Sequence, residues 1–233
     1  LAAQGTHTFQ LLLVFTYTLY PYPAQIEHDD VQRVLYTDNH YVWSPYHVEK
    51  QATSVKLAST NIESKTTEKP TKVVREVVEY GPYKDVKPFT VSKMQIHYEN
   101  NHPFATMASC VREIEISHWG NVAVEESYQL KHTGAVLKGS FSRLDYQQAR
   151  SGGSTKSGLS SFRSIVANLP VGVKDVYYRD QIGNISTSHL RYEDETTRFE
   201  VDPRFPMFGG WKTDFVIGYN WPAQYALLSD ASD

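Results

Sequence analysis

Residues 111–132 read VREIEISHWGNVAVEESYQLKH, and this stretch decides the fold class. Val111, Glu113 and Glu115 alternate with Arg112, Ile114 and Ile116, an imperfect period of two that suits a strand with one half-buried face. Gly120-Asn121 supplies a turn signal, after which Val122 and Val124 open a second run that ends near His132. Two such runs on either side of a Gly-Asn turn predict a β-hairpin.

The same grammar extends outward. Thr53 to Ala58 alternates, with Val55 and Leu57 on one face, and Met94, Ile96 and Tyr98 repeat the pattern. A second hairpin is expected from Asp175–Arg179, a turn at Gln181-Ile182-Gly183-Asn184, and a return over Ile185–Arg191. Further short strands are expected at Arg198–Val201 and Asp214–Tyr219, and the apolar run Phe9–Tyr20 reads as a core strand. Lys72–Tyr80 fits either a short helix or a strand, since Val73, Val74, Val77 and Val78 are β-branched. Ser59–Thr71 and the Ser/Gly-rich Arg150–Ser161 read as surface connections. Many short strands at this spacing predict an all-β, mainly antiparallel sandwich architecture. A chain of 233 residues holds one large or two small domains. The boundary is expected near Thr106, after Asn100-Asn101-His102-Pro103, which gives 1–106 and 107–233.

Composition excludes some functions. A net charge of −3 offers no electrostatic pull on nucleic acid or anionic membrane. The run Phe9–Tyr20 is too short to span a bilayer, which takes about 20 apolar residues, and it lacks a signal peptide's basic start. Cys110 is the only cysteine, so an internal disulfide and a Cys-based zinc site are both excluded; it reads as a buried small hydrophobe. Sixteen tyrosines suit half-buried pleated surfaces and interfaces.

Catalytic constellations are missing. The nine histidines form no H-E-x-x-H motif, and His97 and His102, flanking a turn, read as solvated or core-edge residues. Gly153-Ser154-Thr155-Lys156-Ser157 lacks the Gly before Lys that a phosphate loop requires. Glu125-Glu126 and Glu193–Glu195 read as solvated faces, because adjacent strand residues point to opposite sides. No catalytic, cofactor or metal residue is therefore expected. Asn184-Ile185-Ser186 is an N-glycosylation sequon in the expected turn, which makes Asn184 a candidate acceptor.

The blocks Ser117–Glu126, Leu130–Gly139, Asp175–Leu190 and Pro203–Thr213 are similar to the ribophorin I family, and Pro21-Tyr22-Pro23, Ser44-Pro45-Tyr46 and His97–Asn101 fall in matching order. The match departs at Ser64–Val78, at Tyr146–Leu169 and after Pro222. The resemblance implies a fragment of a type I membrane protein of the endoplasmic reticulum, on the lumenal side, with its transmembrane helix outside these residues. It implies tandem β-sandwiches resembling the N-terminal domain of zinc aminopeptidases, each incomplete here.

The role implied by that resemblance is a non-catalytic accessory subunit of the oligosaccharyltransferase. That complex moves a preassembled glycan from dolichyl diphosphate to Asn of Asn-X-Ser/Thr, and its catalytic site lies in another subunit. The implied partners are the other subunits, nascent polypeptides and, through the full-length protein, translocon and ribosome. The alternative is a stand-alone glycan- or peptide-binding sandwich; a degenerate hydrolase is disfavoured without a zinc motif. Phe208 and Trp211, beside Gly209-Gly210, are the candidate interface anchors, against the plainer reading that they close the core.

Overall fold

The computed structural model describes residues 5–151 and 160–226. The strands run β1 (Leu19–Pro21), β2 (Gln25–Ile26), β3 (Arg33–Asn39), β4 (Val48–Lys56), β5 (Ile62–Lys65), β6 (Thr71–Val74), β7 (Val77–Val86) and β8 (Lys93–Glu99). They continue with β9 (Ala105–Ser117), β10 (Asn121–His132), β11 (Val136–Leu137), β12 (Ile165–Leu169), β13 (Lys174–Asp180), β14 (Ser188–Tyr192), β15 (Thr197–Val201) and β16 (Lys212–Pro222). Helix α1 (Arg143–Ser151) separates β11 from β12. The fold is thus all-β and mostly antiparallel, as the alternation predicts. It divides into two compact units, Leu1–Tyr20 with Val34–Tyr98, and Pro21–Arg33 with Glu99–Asp233.

The first unit has one sheet in the order β1-β3-β8-β5 and another in the order β4-β7-β6. Met94, Ile96 and Tyr98 form the inward row of β8 and are buried, as the period of two requires. Leu57 is buried and Val55 half-buried. Lys72–Tyr80 resolves as a hairpin, with Val73 facing Val78 and Val74 facing Val77. Its turn includes Arg75 at φ 54. Tyr80 and Tyr83 keep their rings in the core while their hydroxyls donate to the carbonyls of Thr66 and Glu68, each at 3.1 Å. Buried phenols demand such partners. Burial also pushes the Tyr83 hydroxyl up to about 12.

Two expectations fail in this unit. Ser59–Thr71 contains β5, which pairs antiparallel with β8 from Ile62 opposite Tyr98 to Lys65 opposite Ile96, so it is no mere surface connection. Phe9–Tyr20 is not a core strand. Only its end enters β1, and Phe9, Leu12 and Val14 are more than four-fifths exposed. Apolar residues alone do not make a strand; a hydrogen-bonded neighbour is needed, and residues 5–15 have none.

The second unit packs a sheet in the order β13-β16-β10-β9 against one in the order β12-β15-β14. The core joins Val122, Val124, Leu130, Tyr178, Phe215 and Ile217 of the first to Leu169, Phe199 and Val201 of the second. The hairpin expected around Gly120-Asn121 is present, from Asn121 opposite Ser117 to His132 opposite Ala105. Gly120 adopts φ 85, the left-handed geometry that favours glycine. The strands expected at Arg198–Val201 and Asp214–Tyr219 lie within β15 and β16. The second expected hairpin forms only at its tip. Ile185 N–H donates to the Tyr178 carbonyl, but the chain then crosses to the other sheet, where β14 pairs with β15. Buried Ile185 and the bonds between Thr187 and Asp202 hold that crossing. Most of the expected connection Arg150–Ser161, with Gly153–Ser157, lies outside the described residues.

Candidate functional site

The segment between β15 and β16 carries both candidate anchors. Phe208 is buried, its ring centroid 5.4 Å from Phe141, 5.7 Å from Tyr146 and 5.4 Å from Trp211. Trp211 is half-buried and meets Phe141 edge-on at 5.2 Å and Phe205 at 5.5 Å. Edge-to-face packing of this kind matches positive ring edges to negative faces. Phe208 is therefore enclosed by its own chain, whereas Trp211 belongs to the cluster and keeps a solvent-facing part. The Gly209-Gly210 close approach is internal. A Cβ on Gly209 would sit 1.8 Å from the Ala135 carbonyl oxygen.

Hydrogen bonds stitch this segment to the end of β10. His132 N–H donates to the Trp211 carbonyl at 2.9 Å, and Gly210 N–H donates to the His132 carbonyl at 2.8 Å. His132 is fully buried, donates from Nε2 to the Ser160 carbonyl at 2.7 Å and accepts the Gly134 N–H on Nδ1 at 3.0 Å. Burial lowers its pKa, against a smaller opposing effect of backbone hydrogen bonds. Beside it, fully buried Gln32 donates to the Asn100 carbonyl and accepts from Ala135 N–H, both at 2.9 Å. A Cβ on Gly134 would lie 2.3 Å from Gln32 Oε1 and 2.5 Å from the His132 ring, so glycine is needed there. Sequence reasoning missed Gln32 and His132. Both are polar, and no periodicity marks a polar residue as core.

Asn184 stands exposed in the turn after β13. Asp180 shapes that turn by accepting N–H bonds from Ile182 at 2.9 Å and Gly183 at 3.1 Å. Arg204 clamps it, with Nε 2.5 Å from Asp180 Oδ2 and Nη2 donating to the Gly183 carbonyl at 3.3 Å. The Arg204 bond holds the Asp180 carboxyl below its ordinary range. Asn184 and Trp211 are thus anchored by one segment, residues 202–211, through different contacts.

Other sites depart from expectation. Cys110 is exposed, not buried, because β9 is an edge strand. Glu125 and Glu126 do point to opposite sides, but Glu126 is buried, 2.6 Å from Arg112 Nη2 and bonded by the Tyr128 hydroxyl. Glu125 accepts from the Tyr177 hydroxyl at 2.5 Å and from Arg179 at 2.8 Å, and the Tyr177 bond leads in lowering its pKa. Among the described residues no group of three or more His, Cys, Asp or Glu side chains is placed to hold a metal ion. No helix among them is long and apolar enough to cross a membrane.

A family model described as Ribophorin I matches residues 1–233. The chain is 46% identical over 228 residues to dolichyl-diphosphooligosaccharide–protein glycosyltransferase subunit 1B of Arabidopsis thaliana, covering 98% of this chain and 48% of that protein. It is 47% identical over 221 residues to subunit 1B of Oryza sativa subsp. japonica, covering 95% and 46%. To subunit 1 of Caenorhabditis elegans it is 44% identical over 223 residues, covering 95% and 37%. The chain therefore spans about half the length of these relatives, or less.

Proposed function

The chain belongs to the ribophorin I family, and on that premise we propose that it is part of an accessory, non-catalytic subunit of the oligosaccharyltransferase. The observation that carries this is collinear identity of 44–47% across nearly the whole chain to proteins named as subunit 1 of that glycosyltransferase. In this reading the chain lies on the lumenal side of the endoplasmic reticulum membrane. It supports transfer to nascent polypeptide by holding subunits and acceptor in place. Two observations support this: buried His132 and His40 are tied up in packing, on the Ser160 and Ser92 carbonyls, and the acidic side chains Glu125, Glu126 and Asp180 are spent on ion pairs.

The test is purification of the full-length protein from native membranes. The other subunits of the glycosyltransferase should co-purify, and this chain alone should turn over no lipid-linked donor with an acceptor peptide. Turnover by the chain alone would overturn the reading.

Trp211 is the proposed contact residue, with Phe208 behind it as support. Trp211→Ala in the full-length protein should weaken assembly while the fold stays protease-resistant; an assembled or an unfolded variant removes the contact assignment. Asn184 is the proposed glycan acceptor, exposed on a turn that Arg204 holds rigid. Protein made in a eukaryotic secretory pathway should lose one glycosidase-sensitive mobility shift in Asn184→Gln.

A further inference from the structure

A cavity of about 440 Å³ opens between helix α1 and the segment 202–206. Arg143 and Tyr146 line it from the helix side, Arg163 from the approach to β12, and Asp202, Arg204 and Phe205 from the opposite wall. Three arginines and one aspartate thus line it, in a chain whose net charge is −3. The clustering is local and does not reflect a basic surface.

The three arginines are not equivalent. Arg204 is committed, its fork closed on Asp180 and the Gly183 carbonyl. Arg143 and Arg163 are exposed, and neither has an ion-pair partner among the described residues. Guanidinium groups lining one cavity repel each other unless an anion lies between them. Their planar forks match the oxygens of a phosphate two at a time, which an ammonium does not. Phe205 adds an apolar surface to one wall, and the volume falls within the usual range for small-ligand sites, about 300–1,000 Å³.

We propose that this cavity binds a hydroxylated phosphate monoester, with Arg143 and Arg163 taking the phosphate oxygens and Asp202 accepting from a neighbouring hydroxyl. The wall is prearranged. Asp202 N–H donates to the Thr187 carbonyl, and Met207 and Phe162 exchange backbone hydrogen bonds. A ligand therefore orders little more than two arginine side chains. The same chemistry serves a free polyol phosphate or a phospholipid headgroup.

The test uses full-length protein purified in detergent or reconstituted. Glycerol 3-phosphate is titrated calorimetrically, and mixed detergent micelles with and without phosphatidylinositol 4-phosphate, a phosphate monoester with neighbouring hydroxyls, are titrated in a second arm. Saturable binding in either arm is expected, weakened about tenfold to a hundredfold in Arg143→Gln/Arg163→Gln, the loss of one or two charge-assisted hydrogen bonds. Binding of the soluble phosphate alone assigns a free ligand, and binding of the phosphatidylinositol 4-phosphate micelles alone assigns a headgroup. Both side chains are exposed, so the double variant should melt with the wild type. Arg163→Lys gives a second check, since it keeps the charge and loses the fork, and should bind between the two. No binding in either arm overturns the proposal, as does binding indifferent to the variants. So does preference for an oligoglutamate peptide over both phosphates, which would make the cavity a protein contact.

Discussion

The strands β9 and β10 form one hairpin and read alike in sequence, yet they live in different environments. On the inward face, Val122, Val124 and Glu126 of β10 stand opposite Ile116, Ile114 and Arg112 of β9. Val124 is 6% exposed and Ile114 is 57% exposed, although their Cα atoms are paired. The difference lies in sheet position. β10 has β16 on its other side and the second sheet's core beneath it, whereas β9 ends the sheet. Alternation therefore tells which face a residue takes, but not whether anything covers that face.

The ion pair across this hairpin gives the largest expected effect, and it runs against intuition. Arg112 is on the exposed strand, with 57% of its side chain in solvent, and Glu126 is on the buried one, with 3%. Removing the exposed partner is the more damaging change. Arg112→Ala leaves a buried carboxylate without its cation, which costs about 3–5 kcal/mol. Glu126→Gln leaves an arginine that water can solvate and should cost about 1–2 kcal/mol. Denaturant melts of the two variants check the order. Equal losses would mean that Glu126 is better solvated than its burial indicates.

Packing gives the next effect. Leu130→Ala, at 2% exposure on β10, should cost about 2–4 kcal/mol through lost transfer and a residual cavity. Ile114→Ala on β9 should cost less than about 1 kcal/mol, since its side chain is already half in water. If Ile114→Ala is as costly as Leu130→Ala, the edge is covered in solution and the comparison breaks.

What the sequence disclosed follows the same division. Local signals were sound. Gly120-Asn121 marked a hairpin, and Met94, Ile96 and Tyr98 marked an inward face. The β-branched run from Val73 to Val78, equivocal by itself, became the β6–β7 hairpin once β7 found β4 beside it. Failures came where a distant partner decides. Phe9–Phe15 lacks a neighbouring strand, β5 exists because β8 offers an edge, and the chain after Ile185 leaves its hairpin for β15. At the candidate site, the aromatics from Phe205 to Trp211 and the sequon turn stood out in sequence. The polar knot of Gln32 and His132 did not, because its members are 100 residues apart in the chain and meet in the fold around Gly134 and Ala135.

The most local expected effect is a pH dependence confined to one end of β10. His132 closes the inward row of that strand, fully buried, with Nε2–H on the Ser160 carbonyl and Nδ1 accepting from Gly134. Protonation would put a second N–H where Gly134 N–H already points, and would charge a group with no water to solvate it. The folded pKa is accordingly depressed below the unfolded value of about 6.5. A depressed histidine binds its proton more readily in the unfolded chain, so its contribution to stability is complete above about pH 6.5. As pH falls below that value, stability declines by at most about 1.4 kcal/mol per pH unit until the folded pKa is reached. Melting at pH 7.5 and pH 5.5 should show the loss, and His132→Gln should flatten it at the cost of lower stability throughout. Amide exchange locates the effect. On acidification the amides of Gly134, Gly210 and His132 should lose protection first, while those pairing β9 with β10 near Gly120 hold. Uniform loss along the hairpin, or an imidazole resonance that titrates at an ordinary pH, would place the pH response elsewhere and leave burial of this histidine without an energetic consequence.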